Sequence, residues 1–428
     1  MLKTYSYAKL SASEIADLCE RNTDISNKIS KTVEEIVDRV KEAGDQALFE
    51  FAEKYDGVRP ERLFVEKEDI EKLASQVEEK DRKALQVAYA NIYKFHQTQL
   101  GKEEKTETTA GVTCWREQRA IQKVGLYIPG GTAVLPSTLL MLGIPAKIAG
   151  CRDIVVCCPP HRNGKLSPHI AYVAKILGIE KIYLAGGAQA IAAMALGTGT
   201  IPKVSKLFGP GNQYVTRAKM MAHSRYGVAI DMPAGPSEVL VIADESCRPD
   251  FVASDLLAQA EHSADSQAVL VATSGEIIEK VNKELSDQLA ELPRMEIAGK
   301  ALANSFAIET ANLNEALTFA NHYASEHLII ASDQYESLVP QIRNAGSVFL
   351  GNFTPEAAGD YASGTNHTLP TSGFARAYSG VSVDAFIKKI TFQHITSEGI
   401  ENLGPAIETM AEIEGLEAHR RSVSLRRS

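Results

Sequence analysis

Apolar residues change their period along this chain. Between residue 10 and about residue 100 they recur every three or four positions. Over 32–57, Val33, Ile36, Val37, Val40, Ala47, Leu48, Phe51 and Ala52 fall on one stripe, and Gly57 ends the run. The stretch 66–100 repeats the pattern with charges between its apolar positions. That predicts helices with a solvated face and makes His96 a bystander.

From about residue 123 the rhythm shortens. The runs KVGLYI, DIVVCC, KIYLAG, SEVLVIAD, QAVLVAT, SFAIET, HLIIAS and GSVFLG alternate with helical stretches of ten to twenty residues. Strands apolar at nearly every position are buried on both faces, and the helices between them supply the crossovers of a parallel sheet. The runs divide into two groups around the polar turn DMPAGPS at 231–237. The pattern therefore predicts an α/β protein with two doubly wound, Rossmann-like parallel-sheet domains and helical N-terminal and C-terminal segments. The expected division is a helical N-terminal region over 1–110, part of it packing on the second α/β domain. A first α/β domain over 111–235, a second over 236–381 and a C-terminal helical segment over 382–428 follow. Residues 351–380 break the rhythm: rich in Gly, Ser, Thr, Asn and Pro, they read as a long loop that is either functional or disordered.

Composition narrows the function. The 428 residues carry a net charge of −9, which excludes a nucleic-acid partner and suits a cationic or neutral small molecule. The most apolar stretch, 133–150, is broken by Pro136, Pro145 and Lys147, so no membrane span is expected. MLKTYSYAKLSAS at the N-terminus lacks the apolar core of a secretion signal. Cysteines at 19, 114, 151, 157, 158 and 247 form no C-x-x-C pair and read as structural thiols, so a cytoplasmic location is expected.

Candidate chemistry gathers late in the chain. In AQAEHSAD (258–265), Gln259 and His262 sit at i, i+3 on one helix face, an oxygen and a nitrogen donor such as zinc accepts. The same residues also fit a plain helix end, with His262 bonding a last-turn carbonyl beside an exposed Gln259. Asp360 and His367 share the polar loop, and His419 stands in the C-terminal tail. A metal would gather Gln259, His262, Asp360 and one more histidine, which spacing does not identify. Glu326 and His327, where a helix gives way to a strand, offer a carboxylate and an imidazole for water activation and proton transfer; a helix cap with an exposed Glu explains them equally. Glycine turns follow three strands, at 127–133, 184–190 and 208–215. Such turns line a ligand crevice at the carboxyl ends of parallel strands. None is a true G-x-G-x-x-G with an acidic residue about twenty positions on, and tight turns alone account for them.

The segment IDMPAGPSEVLVIADESCRPDFVASDLLAQAEH (230–262) resembles the signature of the histidinol dehydrogenase family. GLYIPGG, GGAQAIAA, FGPGN, YASEHL, AGDYASGTNHTLPT and a tail with Glu414 and His419 match the same family in order, over nearly the whole chain. Cys247 departs from the family's usual alanine. The resemblance implies a zinc-dependent, NAD-linked oxidation of L-histidinol to L-histidine through L-histidinal. Zinc, one per subunit, would be held by Gln259, His262, Asp360 and His419. Glu326 and His327 would be catalytic. Ser237, His327, His367 and Glu414 would bind substrate together with the metal ligands. Tyr127, Gln189 and Asn212 would contact NAD. A homodimer exchanging its C-terminal segments would give each site its Glu414 and His419 from the other chain. A metal-dependent hydrolase of a small cationic substrate, with Glu326 or Glu261 activating water, would use much the same residues. A non-catalytic small-molecule receptor is the third reading.

Overall fold

The protein is described by a computed structural model covering residues 2–21, 27–101, 103–130, 134–161 and 164–427. The tip of the first glycine turn, 131–133, lies outside the described residues.

Two six-stranded sheets carry the fold. In the first, Lys123–Tyr127 is central, with Asp153–Cys158 and then Lys181–Leu184 on one side and Lys206–Phe208 and then Ala229–Ile230 on the other. These five are parallel, and Phe64–Glu66 adds an antiparallel edge. In the second, Glu238–Ala243 is central, flanked by Gln267–Ala272 and Phe306–Glu309 on one side and by His327–Ala331 and Ser347–Leu350 on the other. All of these are parallel, and Lys3–Ser6 adds a parallel edge strand beside Phe306–Glu309. Written by chain order, both sheets run 3-2-1-4-5, the doubly wound arrangement. The alternation of short apolar runs and helices predicts this, and the shared order is a likeness that no repeat in the sequence reveals.

Each sheet is covered on both faces. Every residue of Glu238–Ala243 is buried; Val239, Val241 and Ala243 pack into one apolar cluster while Leu240 and Ile242 enter another. Period-two alternation between two dry faces is why such strands show no polar side.

The terminal segments attach to different places. Residues 2–21 add a strand to the second sheet, whereas the helices Asn27–Ala43, Lys67–Ala74 and Glu79–Gln97 cover the first-sheet half. The C-terminal segment is helical over Ser397–Ile413 and Glu417–Arg427, preceded by a strand, Ile387–Ile395. That strand pairs antiparallel with Val112–Ala120 in a third, three-stranded sheet. Among the described residues no helix is long and apolar enough to cross a membrane.

The connector 231–237 sets the relation between the halves. Parallel strands put all their carboxyl ends on one edge. The chain leaves the first sheet at that edge after Ile230 and enters the second at its amino edge, at Glu238. Asp231 Oδ2 accepts from the Gly209 N–H at 2.8 Å, and the Asp231 carboxylate is paired with the buried Lys219. A connector this short holds the carboxyl edge of one sheet against the amino edge of the other.

Candidate active site

The helix Leu313–Tyr323 ends at Ala324, whose left-handed backbone (φ 56°) is unusual for a residue other than glycine. The turn reverses the chain into the strand His327–Ala331, whose first residue lies beside Val239. Glu326 and His327 thus stand at the amino edge next to Ser237. Both are buried, which removes the reading of a helix cap with an exposed Glu.

The Glu326 Oε2 accepts the Glu238 N–H at 3.0 Å, which fixes one oxygen of the carboxylate. His327 Nδ1 lies 3.3 Å from the Glu238 carbonyl, so a proton there is donated to that oxygen. Its Nε2 has no hydrogen-bond partner and lies 3.5 Å from Asp360 Oδ1. Burial pulls the imidazole pKa down, but Glu356, Glu326 and Asp360 outweigh it and hold the ring well above its ordinary value. Burial raises Glu326 and Glu356 above the usual carboxylate range. Asp360 goes the other way: burial opposes its charge, but His327 holds it low.

The helix Pro249–Ala260 brings Gln259 and His262 to the same place. Gln259 is fully buried, with neither amide atom hydrogen-bonded. A helix end with an exposed Gln is thereby ruled out. The polar loop supplies the rest. It is ordered, and its short helix Glu356–Tyr361 puts Glu356 and Asp360 one turn apart. His367 Nδ1 contacts the Asp360 carbonyl at 2.8 Å, and its Nε2 contacts Thr138 Oγ1 at 3.2 Å. Asn366 beside it donates to the Met141 carbonyl at 2.6 Å and meets His96 Nε2 at 3.3 Å. His96 is therefore no bystander: fully buried and kept neutral by that burial, it anchors the loop to the first-sheet half.

One ligand atom each from His262, Glu356 and Asp360 lies within 4.8 Å of the others. Both Glu356 oxygens are buried without a partner, like the Gln259 amide. Unpaired buried carboxylates and amides are costly, and a divalent cation would give the Gln259 and Asp360 oxygens a partner and offset the charge of Glu356 beside them. The oxygen and nitrogen donors suit zinc. Glu356 joins this cluster without belonging to any of the motifs read from the sequence, although its spacing of four from Asp360 is visible there.

Beside this cluster opens a cleft of about 590 Å³, lined by Ser237, His262, Glu326 and His367 among others. A second cavity, of about 410 Å³, is lined by Tyr127, Gln189 and Asn212. The two share Asn212 and Tyr214. Asn212 caps the helix Gln213–Tyr226, accepting from Tyr214 N–H at 3.1 Å, and Tyr127 Oη accepts the Gly187 N–H at 3.1 Å. Three turns that fail the dinucleotide fingerprint thus converge on one pocket.

A family model described as histidinol dehydrogenase matches residues 19–427. The chain belongs to the histidinol dehydrogenase family. Among similar proteins, the histidinol dehydrogenase of Bacteroides thetaiotaomicron is 52% identical over 426 residues, covering 100% of this chain and 99% of that one. A chloroplastic histidinol dehydrogenase of Arabidopsis thaliana is 51% identical and covers 99% of this chain and 91% of its own length. The crystal structure of histidinol dehydrogenase from Elizabethkingia anophelis superposes with a TM-score of 0.95 at 50% identity, covering 99% of this chain and 98% of that one.

Of the residues that the histidinol dehydrogenase motifs single out, Ser237, His262, Glu326 and His367 line the cleft, with Asp360 and His327 paired behind it. Glu414 and His419 are not brought there within one chain. Both are exposed on the C-terminal helix pair.

Proposed function

We propose that the protein oxidises L-histidinol to L-histidine through L-histidinal, with two NAD and one zinc ion per subunit. The observation that carries the reading is the junction itself: a buried Glu–His pair lines or backs a cleft that adjoins a pocket lined by all three glycine turns.

Gln259, His262 and Asp360 would hold the zinc, with His419 of the partner subunit as fourth ligand in a homodimer exchanging C-terminal segments. Bound there, zinc would supply a fixed Lewis-acidic anchor for the imidazole and amine of the substrate. NAD, seated along Tyr127, Gln189 and Asn212, would accept one hydride in each oxidation. The remaining work falls to the chain. His327, its Nδ1 turned to the Glu238 carbonyl, takes the hydroxyl proton on Nε2. Positive charge brought among Glu326, Glu356 and Asp360 offsets their upward push on the imidazole and readies it as a base. Glu326 has Oε2 fixed by the backbone and Oε1 left to draw a proton from water as it attacks the aldehyde carbon. As water adds, His327 returns its proton to the former carbonyl oxygen, and the neutral ring then takes a proton from the hydrate as the second hydride leaves. Ser237, His367 and the partner's Glu414 orient the substrate.

The dimer has support in the exposed apolar side chains Met410, Ile413 and Leu416 beside Glu414, which one chain leaves uncovered. The test is direct: zinc-loaded protein with L-histidinol and NAD yields two reduced cofactors per histidine. Absence of reduced cofactor from fully metallated protein overturns the reading in favour of metal-dependent hydrolysis.

A further inference from the structure

The pocket lined by Tyr127, Gln189 and Asn212 has one wall that neither the glycine turns nor the oxidation chemistry explains. This wall is Asp56, the last residue of a π-helical turn over Ala52–Asp56 that Gly57 closes in the left-handed conformation (φ 70°). Such turns sacrifice regular helix geometry and recur at functional sites. The turn sets the carboxylate over the start of the helix Gly187–Leu196. There Oδ1 lies 3.4 Å from the point where a Cβ on Gly186 would stand. Oδ2 is buried without a hydrogen-bond partner, and burial pushes the group up to about 6. A carboxylate in that condition is under-satisfied until a ligand donates to it. Among the described residues lining the pocket, Asp56 is the one carboxylate, and there is no lysine or arginine.

We propose that Asp56 accepts hydrogen bonds from the adenosine ribose hydroxyls of NAD and excludes the 2′-phosphorylated cofactor. The inference rests on the reading that this pocket takes NAD. If the nicotinamide reaches Glu326 and His327 through the cleft joined at Asn212 and Tyr214, the adenosine half remains in the pocket. Its flat base suits Ile36, Tyr55 and Pro159, and its phosphates suit the backbone N–H groups at the helix starts. The sugar lies between base and phosphates and offers the hydroxyl donors. Doubly wound folds commonly assign this task to an acid downstream of the first glycine turn. Here no such acid follows, and Asp56 arrives from upstream, from the helical layer that covers the sheet. A 2′-phosphate would set nearly two negative charges against it with no cation to pair them.

The test uses the full-length, zinc-loaded protein at saturating L-histidinol. Asp56→Asn is expected to raise the KM for NAD about tenfold and to lower the NAD-over-NADP ratio of kcat/KM by at least about tenfold. An unchanged ratio overturns the assignment. A second measurement needs neither variant nor turnover: by calorimetric titration adenosine 2′,5′-bisphosphate should bind the wild type at least about tenfold more weakly than AMP. Equal affinity also overturns it. Wild-type protein that reduces no NAD removes the cofactor reading itself. Normal NAD reduction with an unchanged ratio removes only the role of Asp56.

Discussion

Around His327 three carboxylates converge within 4.0 Å: Glu326 with one oxygen on a backbone N–H, Glu356 with neither oxygen bonded, and Asp360 from the polar loop. Replacing Glu326 with Gln keeps an acceptor for the Glu238 N–H but removes the base. Turnover of L-histidinal should fall about 10²–10⁴-fold and that of the alcohol step less; rapid-mixing assays from either substrate measure the difference, and equal slowing refutes water activation. Glu356→Gln should keep most of the zinc on elemental analysis, where His262→Asn loses it. Loss as complete as in His262→Asn would make Glu356 a ligand. His96 bears on stability. Burial lowers its folded pKa below the unfolded value of about 6.5, so the unfolded chain binds more protons and stability is lost as pH falls through about 6.5. His96→Gln should flatten that acid-side fall in thermal midpoint relative to wild type. Gln259, His262, Glu326 and His327 were legible because adjacent Glu–His pairs and an i, i+3 donor pair have few packing uses. Glu356 and His96 were not, because nothing in the sequence tells a buried charge or a core imidazole from a solvated one.

At the level of elements, a buried ion pair reinforces the strand pairing that ties the N-terminal segment to the second sheet. Arg21 forks onto Glu238 with two contacts of 2.8 Å, donates to the Tyr323 carbonyl at 2.7 Å and stacks 3.6 Å from the Tyr323 ring. The same Glu238 accepts the Ser372 N–H at 3.1 Å, so the pair also braces the loop over the cleft. Arg21→Ala leaves Glu238 buried and unpaired and should cost about 3–5 kcal/mol, read by denaturant unfolding. A loss under about 1 kcal/mol would mean water reaches Glu238. The central strands were legible from their unbroken apolar runs. Lys3–Ser6, Phe64–Glu66 and Ile387–Ile395 were not: edge and antiparallel strands are short or mixed in polarity, and their partners lie far away in sequence.

For the whole molecule, the sequence predicts two stacked parallel sheets but not which edges face each other. In the first sheet the pocket lies at the carboxyl ends, as the topology leads one to expect. In the second the chemistry lies at the amino ends, because a short connector leaves the chain no room to cross. Partner exchange belongs to this scale. Mixing inactive His262→Asn with inactive His419→Asn should restore part of the activity if tails are shared, since one hybrid site is then intact. Hybrid dimers that form but stay inactive refute it.

The run from Asp231 to Ser237 also acts as a gauge. Anchored by Asp231 at one end and continuous with a central strand at the other, it sets the spacing between the two sheet edges. One more residue adds up to about 3.3–3.6 Å of reach, more than a hydride-transfer geometry tolerates. A relative that accommodates a bulkier alcohol would therefore have to carve the chamber walls, leaving this spacer at its present length.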